Sequence, residues 1–194
     1  MMTKLASVVL ALFAFHCASS DADPVRVPAT SDGPREVAIL GAGCFWGVEH
    51  WMMKLSGVAD VEVGYAGGGS RSVTYDDVTT GTTGHAEAVR VVFDPTVTSY
   101  EQVLTWLFRI HDPTTKDRQG NDVGPQYRSA IFPTNDAQRA IAVRVKASVE
   151  ASGKWKRPIT TTIEPGAVWV RAEDYHQDYL VKHPGGYDNH YLRD

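Results

Sequence analysis

One stretch of the chain alternates apolar and polar residues with a period of two. In "VADVEVGY" (58–65), Val61, Val63 and Tyr65 fall on one side and Asp60, Glu62 and Gly64 on the other. Successive side chains of a strand point to opposite faces, so the stretch predicts a half-buried strand. "HAEAVRVVF" (85–93), in which Val89, Val91 and Phe93 share a side, reads as another strand, ended by Asp94-Pro95. Elsewhere the period lengthens. Ser99 and Gln102 make a capping box for a helix whose Tyr100, Val103, Leu104, Leu107 and Phe108 form one face. Thr134 opens another, with Ala137, Ile141, Val145 and Val149 at four-residue spacing. "REVAIL" (35–40), "YRSAIF" (127–132), "ITTTIEP" (159–165) and "AVWV" (167–170) read as further strands, and 44–55 as a helix stopped near Gly57. Residues 67–84 are a Gly/Ser/Thr-rich loop. The segment 111–126 is a loop long enough to suggest a functional role. The final stretch from Ala172 begins as a helix and ends as a Gly/Pro-broken tail. Strands and helices are mixed rather than strictly alternating, which predicts an α+β fold with helices packed on an antiparallel or mixed sheet.

Before the first strand the chain has a different character. Lys4, an apolar run from Leu5 to Phe15 and the small residues after it have the three-part layout of a secretory signal peptide over residues 1–20. The run is too short to span a bilayer as a mature helix. Residues 21–34, "DADPVRVPATSDGP", read as a polar linker, and 35–194 as one domain with a C-terminal tail. The expectation is an exported protein, periplasmic or secreted. Phe15 and His16 are poor residues to precede a lipoprotein cysteine at Cys17. The formal net charge of −4 gives no electrostatic case for nucleic acid or an anionic membrane as partner. Of the two cysteines, leader removal takes Cys17 and leaves Cys44 alone, so no internal disulfide framework is expected.

Cys44 lies in "GAGCFWGVEHW" (41–51). The stretch has the look of a dinucleotide-binding loop, but the slot for the third glycine is taken by Trp46. A zinc deaminase is suggested by His85-Ala86-Glu87, but its P-C-x-x-C half is missing. Cys44 follows a strand and opens a helix, where amide N–H groups and the helix dipole favour a thiolate. The flanking glycines leave backbone open to a ligand. The residues alone leave a nucleophile and a buried structural thiol both open. Glu87 sits on the apolar side of its strand, where desolvation raises a carboxyl pKa and suits it to general acid work. At the sheet's edge it would simply be solvated. A cysteine hydrolase pairing Cys44 with His85, His111 or His176 is an alternative, and a binding module using the aromatics is another.

The segments "GCFWGVE" (43–49), "GYAGG" (64–68), "TYDDV" (74–78), "TGHAEAVRVVFDP" (83–95), "HDPT" (111–114), "RQGNDVGPQYRSAIFP" (118–133) and "AEDYHQDYL" (172–180) run in order and resemble peptide methionine sulfoxide reductase of the A type. The resemblance implies a two-layer, ferredoxin-like α+β fold. It also implies reduction of methionine-S-sulfoxide, free or in proteins, as protein repair under oxidative stress. No cofactor is implied beyond an external thiol such as a redoxin, glutathione or dithiothreitol. It assigns Cys44 as nucleophile and Glu87 as proton donor to the sulfoxide oxygen. Tyr75 and Tyr127 become hydrogen-bonding partners of that oxygen, Asp122 a positioning group for solvent, and Phe45 and Trp46 the S-methyl pocket. Two positions depart from the family pattern. Pro125 stands where threonine is usual, and Asp188 stands where many members carry a resolving cysteine, which implies a sulfenic acid on Cys44 reduced from outside the chain.

Overall fold

The computed structural model describes residues 33–165 and 168–193. The expected leader, Cys17 and all but the last two residues of the expected linker lie outside the described residues. Strands β1 (Glu36–Ala42), β2 (Val58–Ala66) and β3 (Ala86–Phe93) form the centre of a six-stranded sheet. The others are β6 (Ser129–Phe132), β7 (Thr162–Ile163) and β8 (Val170–Arg171), in the order β7-β6-β1-β3-β2-β8. Every pairing is antiparallel except β6 with β7, so the sheet is mixed, as expected.

One face of this sheet carries Leu40, Val63, Val89, Val91 and Phe93, all buried. Three helices contribute to the same core: α1 (Phe45–Met52), α3 (Tyr100–Ile110) and α4 (Asp136–Ala151). The opposite face is lined by Ala66, Ala86, Ala88, Ala130 and Phe132. Ile39 belongs to the same side, with Val37 and Trp169 packed on it, and among the described residues no helix contributes to this cluster, so the architecture is two-layered. Burying both faces of β1 explains why "VAILGA" reads as a continuous apolar run rather than an alternation.

The Ser99–Gln102 capping box forms as expected, with Ser99 Oγ accepting from the Gln102 N–H and Gln102 Oε1 from the Ser99 N–H. Elsewhere the structure corrects the reading. Helix α4 is capped by Asn135, not Thr134, whose N–H and hydroxyl both donate to Gln138 Oε1. Its buried side is Gln138, Ala142 and Val145, and Ala137 is exposed. The loop 67–84 contains a helical turn, α2 (Tyr75–Thr79), built on a Thr74–Asp77 capping box. The loop 111–126 holds a short hairpin of β4 (Arg118–Gln119) and β5 (Asp122–Val123). A 3-10 turn, Pro125–Tyr127, follows it. Pro125 occupies its first turn, where a missing N–H costs nothing. The last segment opens with turns, and its helix α5 spans only Tyr179–Lys182. No helix among the described residues is long and apolar enough to cross a membrane.

Candidate active site

Strand β1 delivers Cys44 to the N-cap of α1, and β3 brings Glu87 beside it: Glu87 Oε2 accepts the Phe45 N–H at 3.0 Å. Glu87 is 2% exposed and Cys44 7%. Glu87 lies opposite Tyr65 in the β2–β3 ladder, so the two share the apolar face. Burial pushes the Glu87 carboxyl up to about 8, against the lowering effect of the Phe45 N–H. The carboxyl is therefore protonated at neutral pH, and its second oxygen is left to carry the proton.

Cys44 departs from expectation. Burial, followed by the charge of Glu87, drives the thiol well above its ordinary value. The amides of Trp46 and Gly47 act in the opposite direction and are outweighed. The helix terminus favours the thiolate, but desolvation wins, so at rest Cys44 is a thiol beside a neutral acid. The glycines also play another part than expected. Gly43 has φ +100°, and a Cβ there would run into the Gln119 side chain; one on Gly47 would run into Asp188 and His190. They make room for the protein's own loops.

The remaining candidates converge on the same place. Tyr75 begins α2, its N–H donating to Glu173 Oε1 at 2.9 Å, while the Tyr65 hydroxyl donates to Glu173 Oε2 at 2.8 Å. Tyr127 ends the 3-10 turn, and the Tyr75 and Tyr127 phenols bear electrostatically on each other. Burial, then the Glu87 charge, raises both phenols, so both keep their protons. Asp122, on β5, bears electrostatically on Cys44, Glu87 and Tyr127. Phe45 is buried with its ring 6.0 Å from Tyr65 and 5.0 Å from His176. Trp46 stacks on Tyr179 at 3.7 Å and donates Nε1–H to His176 Nδ1 at 3.1 Å.

Several residues here carried no recognised signal in the sequence. Asp122 is held by the tail, its carboxylate accepting from the Tyr187 hydroxyl at 3.1 Å and Asn189 Nδ2 at 2.8 Å. His190 Nε2 donates to Ala42 O at 2.7 Å, and Asp188 accepts from Trp51 Nε1 at 3.1 Å and from the His190 N–H at 2.8 Å. Asp188 is thus part of a clamp across α1. Glu49 and Glu173 bridge elements around the aromatic wall.

The histidines that a hydrolase would need are engaged elsewhere. His111 is buried between Leu107 O, to which Nδ1 donates at 2.7 Å, and the Ser129 hydroxyl, 2.8 Å from Nε2. Desolvation pushes it down to about 3. His85 Nε2 bonds Ser70 O at 3.1 Å, and His176 receives the Trp46 indole. Cys44 has a carboxyl acid for a neighbour, and among the described residues no imidazole is hydrogen-bonded to it. Among the described residues no cluster of three metal-ligating side chains forms.

Comparison with known proteins agrees with this geometry. A family model described as peptide methionine sulfoxide reductase matches residues 36–193. The chain is 51% identical over 156 residues to the peptide methionine sulfoxide reductase MsrA of Mycolicibacterium paratuberculosis, covering 80% of this chain and 89% of that protein. The crystal structure of Mxr1 from Saccharomyces cerevisiae in reduced form superposes with a TM-score of 0.78 at 40% identity, over 82% of this chain and 93% of that one. Mxr1 in complex with Trx2 superposes with a TM-score of 0.56 at 28% identity, over 87% of this chain and 99% of that one. By a match that runs from β1 to the tail clamp, the chain belongs to the peptide methionine sulfoxide reductase family, A type.

Proposed function

We propose that this chain, a methionine sulfoxide reductase, works through Cys44 and Glu87 on the S epimer of the sulfoxide, free or in proteins. The Glu87 proton goes to the sulfoxide oxygen as Cys44 Sγ attacks the sulfur, and the carboxylate left behind recovers the thiol proton. The S–O bond breaks, the departing hydroxyl oxygen bonds to Cys44 Sγ, and the Sγ–S bond formed in the attack breaks with its electron pair going to the methionine sulfur, which leaves as methionine. Cys44, now a sulfenic acid, has lost two electrons to the sulfur, the first step of the cysteine oxidation ladder. A sulfoxide oxygen leaves badly unless protonated, so this step needs a neutral acid in a water-poor place. The observation that carries the reading is Glu87, buried beside Cys44 and holding its proton up to about pH 8. Tyr75 and Tyr127 add hydroxyl donors to the same oxygen, Asp122 orders solvent there, and Phe45 with Trp46 encloses the S-methyl group.

The cycle closes when two external thiols reduce the sulfenic acid to thiol and water, themselves forming a disulfide. Two observations support a redoxin-type donor. The tail carries Asp188 and no cysteine, at the position where the family resemblance implies a resolving cysteine in many members, and the neighbouring Mxr1 was solved in complex with Trx2. An assay with separated sulfoxide epimers and dithiothreitol tests the whole reading. The S epimer is turned over and the R epimer is not, Cys44→Ser abolishes turnover, and omitting reductant leaves one oxygen on Cys44 by mass spectrometry. No turnover of the S epimer by folded protein overturns it. We extend the proposal to export through a leader at residues 1–20, which N-terminal sequencing of the protein from the exported fraction checks.

A further inference from the structure

Glu49 takes no part in this chemistry, yet it is a carboxyl only 3% exposed on the helix that Cys44 caps. It lies three residues after Trp46, so both side chains leave the same side of α1. Its Oε1 accepts the Asp178 N–H at 3.0 Å, and the Tyr179 N–H lies against the same carboxyl. Asp178 has φ 53°, a left-handed conformation that a non-glycine residue holds only when its surroundings impose it. The next residue, Tyr179, is the ring that stacks on Trp46 with an interplanar angle of 10°. Two contacts thus join the same pair of segments, one polar and one aromatic, a helical turn apart.

We propose that Glu49 is a positioning residue for substrate binding: it fixes residues 178 and 179 so that Tyr179 holds Trp46 flat beside Cys44. The proposal rests on the reading of Trp46 as a wall of the S-methyl pocket. Glu49 also faces Lys182 of α5 and shares a surface pocket with His50, Met53, Lys54, Leu180 and Val181. Burial, with the charge of the Asp178 side chain beside it, pushes Glu49 up to about 7, against the lowering effect of the Asp178 and Tyr179 amides and of Lys182. Above that pH the charged carboxylate holds the Asp178 N–H most strongly; below it the carboxyl is neutral and that grip weakens.

The test measures kcat and KM for a methionine sulfoxide peptide with dithiothreitol, together with the indole N–H resonance of Trp46, assigned by its loss in Trp46→Phe. Glu49→Ala is expected to raise KM about tenfold, the cost of unpairing buried amides, with kcat within about twofold and the Trp46 resonance displaced. Wild-type KM is expected to rise on the acid side of about pH 7. Glu49→Gln keeps one acceptor and is expected to show that acid-side KM at every pH. A wild-type KM and an unmoved resonance in Glu49→Ala overturn the proposal, as does a KM that responds to pH alike in wild type and Glu49→Gln. Should Glu49→Ala fail to fold, the Glu49→Gln profile decides. Trp46→Ala separates the two readings. An unchanged KM there removes the pocket wall itself, whereas a raised KM with Glu49→Ala unaffected removes only the role of Glu49.

Discussion

Strands β1, β2 and β3 bury Leu40, Val63, Val89, Val91 and Phe93, and Glu87 is the lone acid among them. Residues 172–193 bury His176, Gln177 and His190 instead, and are fastened by bonds from side chains to backbone. Gln177 alone takes both the N–H and the C=O of Val63, each at 3.0 Å, and donates also to Ala172 O at 2.9 Å. The first region is stabilised by area removed from water, which is non-directional and tolerant of small shifts. The second is stabilised by directed bonds, each fixing one group in one place. The proposed reaction would use both: apolar burial raises the Glu87 carboxyl, and the polar crust holds Asp122, Tyr75 and the aromatic wall in place.

Glu87→Gln is the sharpest cut through that difference, because it leaves the shape of the apolar region and removes its proton. Turnover is expected to fall by about 10²–10⁴-fold, the usual worth of a positioned acid. The wild type is expected to lose activity as pH rises through about 8, and the variant to lose that limb. Stability moves too. The folded-state value of about 8 lies above the ordinary 4.5, so the native state binds the extra proton between them. The contribution of Glu87 to stability is full below about 4.5 and lost as pH rises through about 8. Thermal melts across that range are expected to decline more steeply in the wild type than in the variant, which keeps only the smaller contribution of Glu49.

Leu104→Ala tests the region of area. Leu104 is fully buried on α3, and truncation is expected to cost about 2–5 kcal/mol of unfolding free energy. Well below its melting temperature the variant should turn over as wild type does, so a loss of kcat/KM in folded protein would show the two regions to be coupled. Asn189→Ala tests the region of directed bonds. It removes donors to Asp122 Oδ2 and Gln119 O, at 2.8 and 2.9 Å. The expected result is roughly a tenfold loss of kcat/KM, from one charge-assisted bond, with melting temperature moved far less than in Leu104→Ala.

The same division explains what the sequence made legible. Period-two and helical patterns are set by burial, so β2, β3 and α3 could be located with their apolar faces from residues alone. Glu87 was legible for the same reason, as an acid on an apolar face. The N-cap of α4 was not, because Thr134 and Asn135 are both good caps and the choice depends on where Gln138 reaches: its Nε2 donates to Val37 O, 101 residues away. The state of Cys44 was not legible either. Helix-end amides are visible in a sequence, but the burial that outweighs them comes from strands and loops distant in the chain. Roles for Tyr75, Tyr127 and Asp122 came from resemblance alone. Their convergence depends on α2, the 3-10 turn and the hairpin, each too short to leave a periodic signal.

His190 and Ala42 lie 148 residues apart in sequence. Cys44 follows directly on β1, and the clamp that seats on Gly47 is drawn from a far later part of the chain. The sheet can pair before the clamp is seated, but the bonds to Asp122 and the Ala42 carbonyl cannot form without it, and closing so long a loop carries its own entropic cost. A folding chain whose sheet has paired and whose tail is unseated holds Cys44 without part of its final enclosure, and the seating of the tail supplies it.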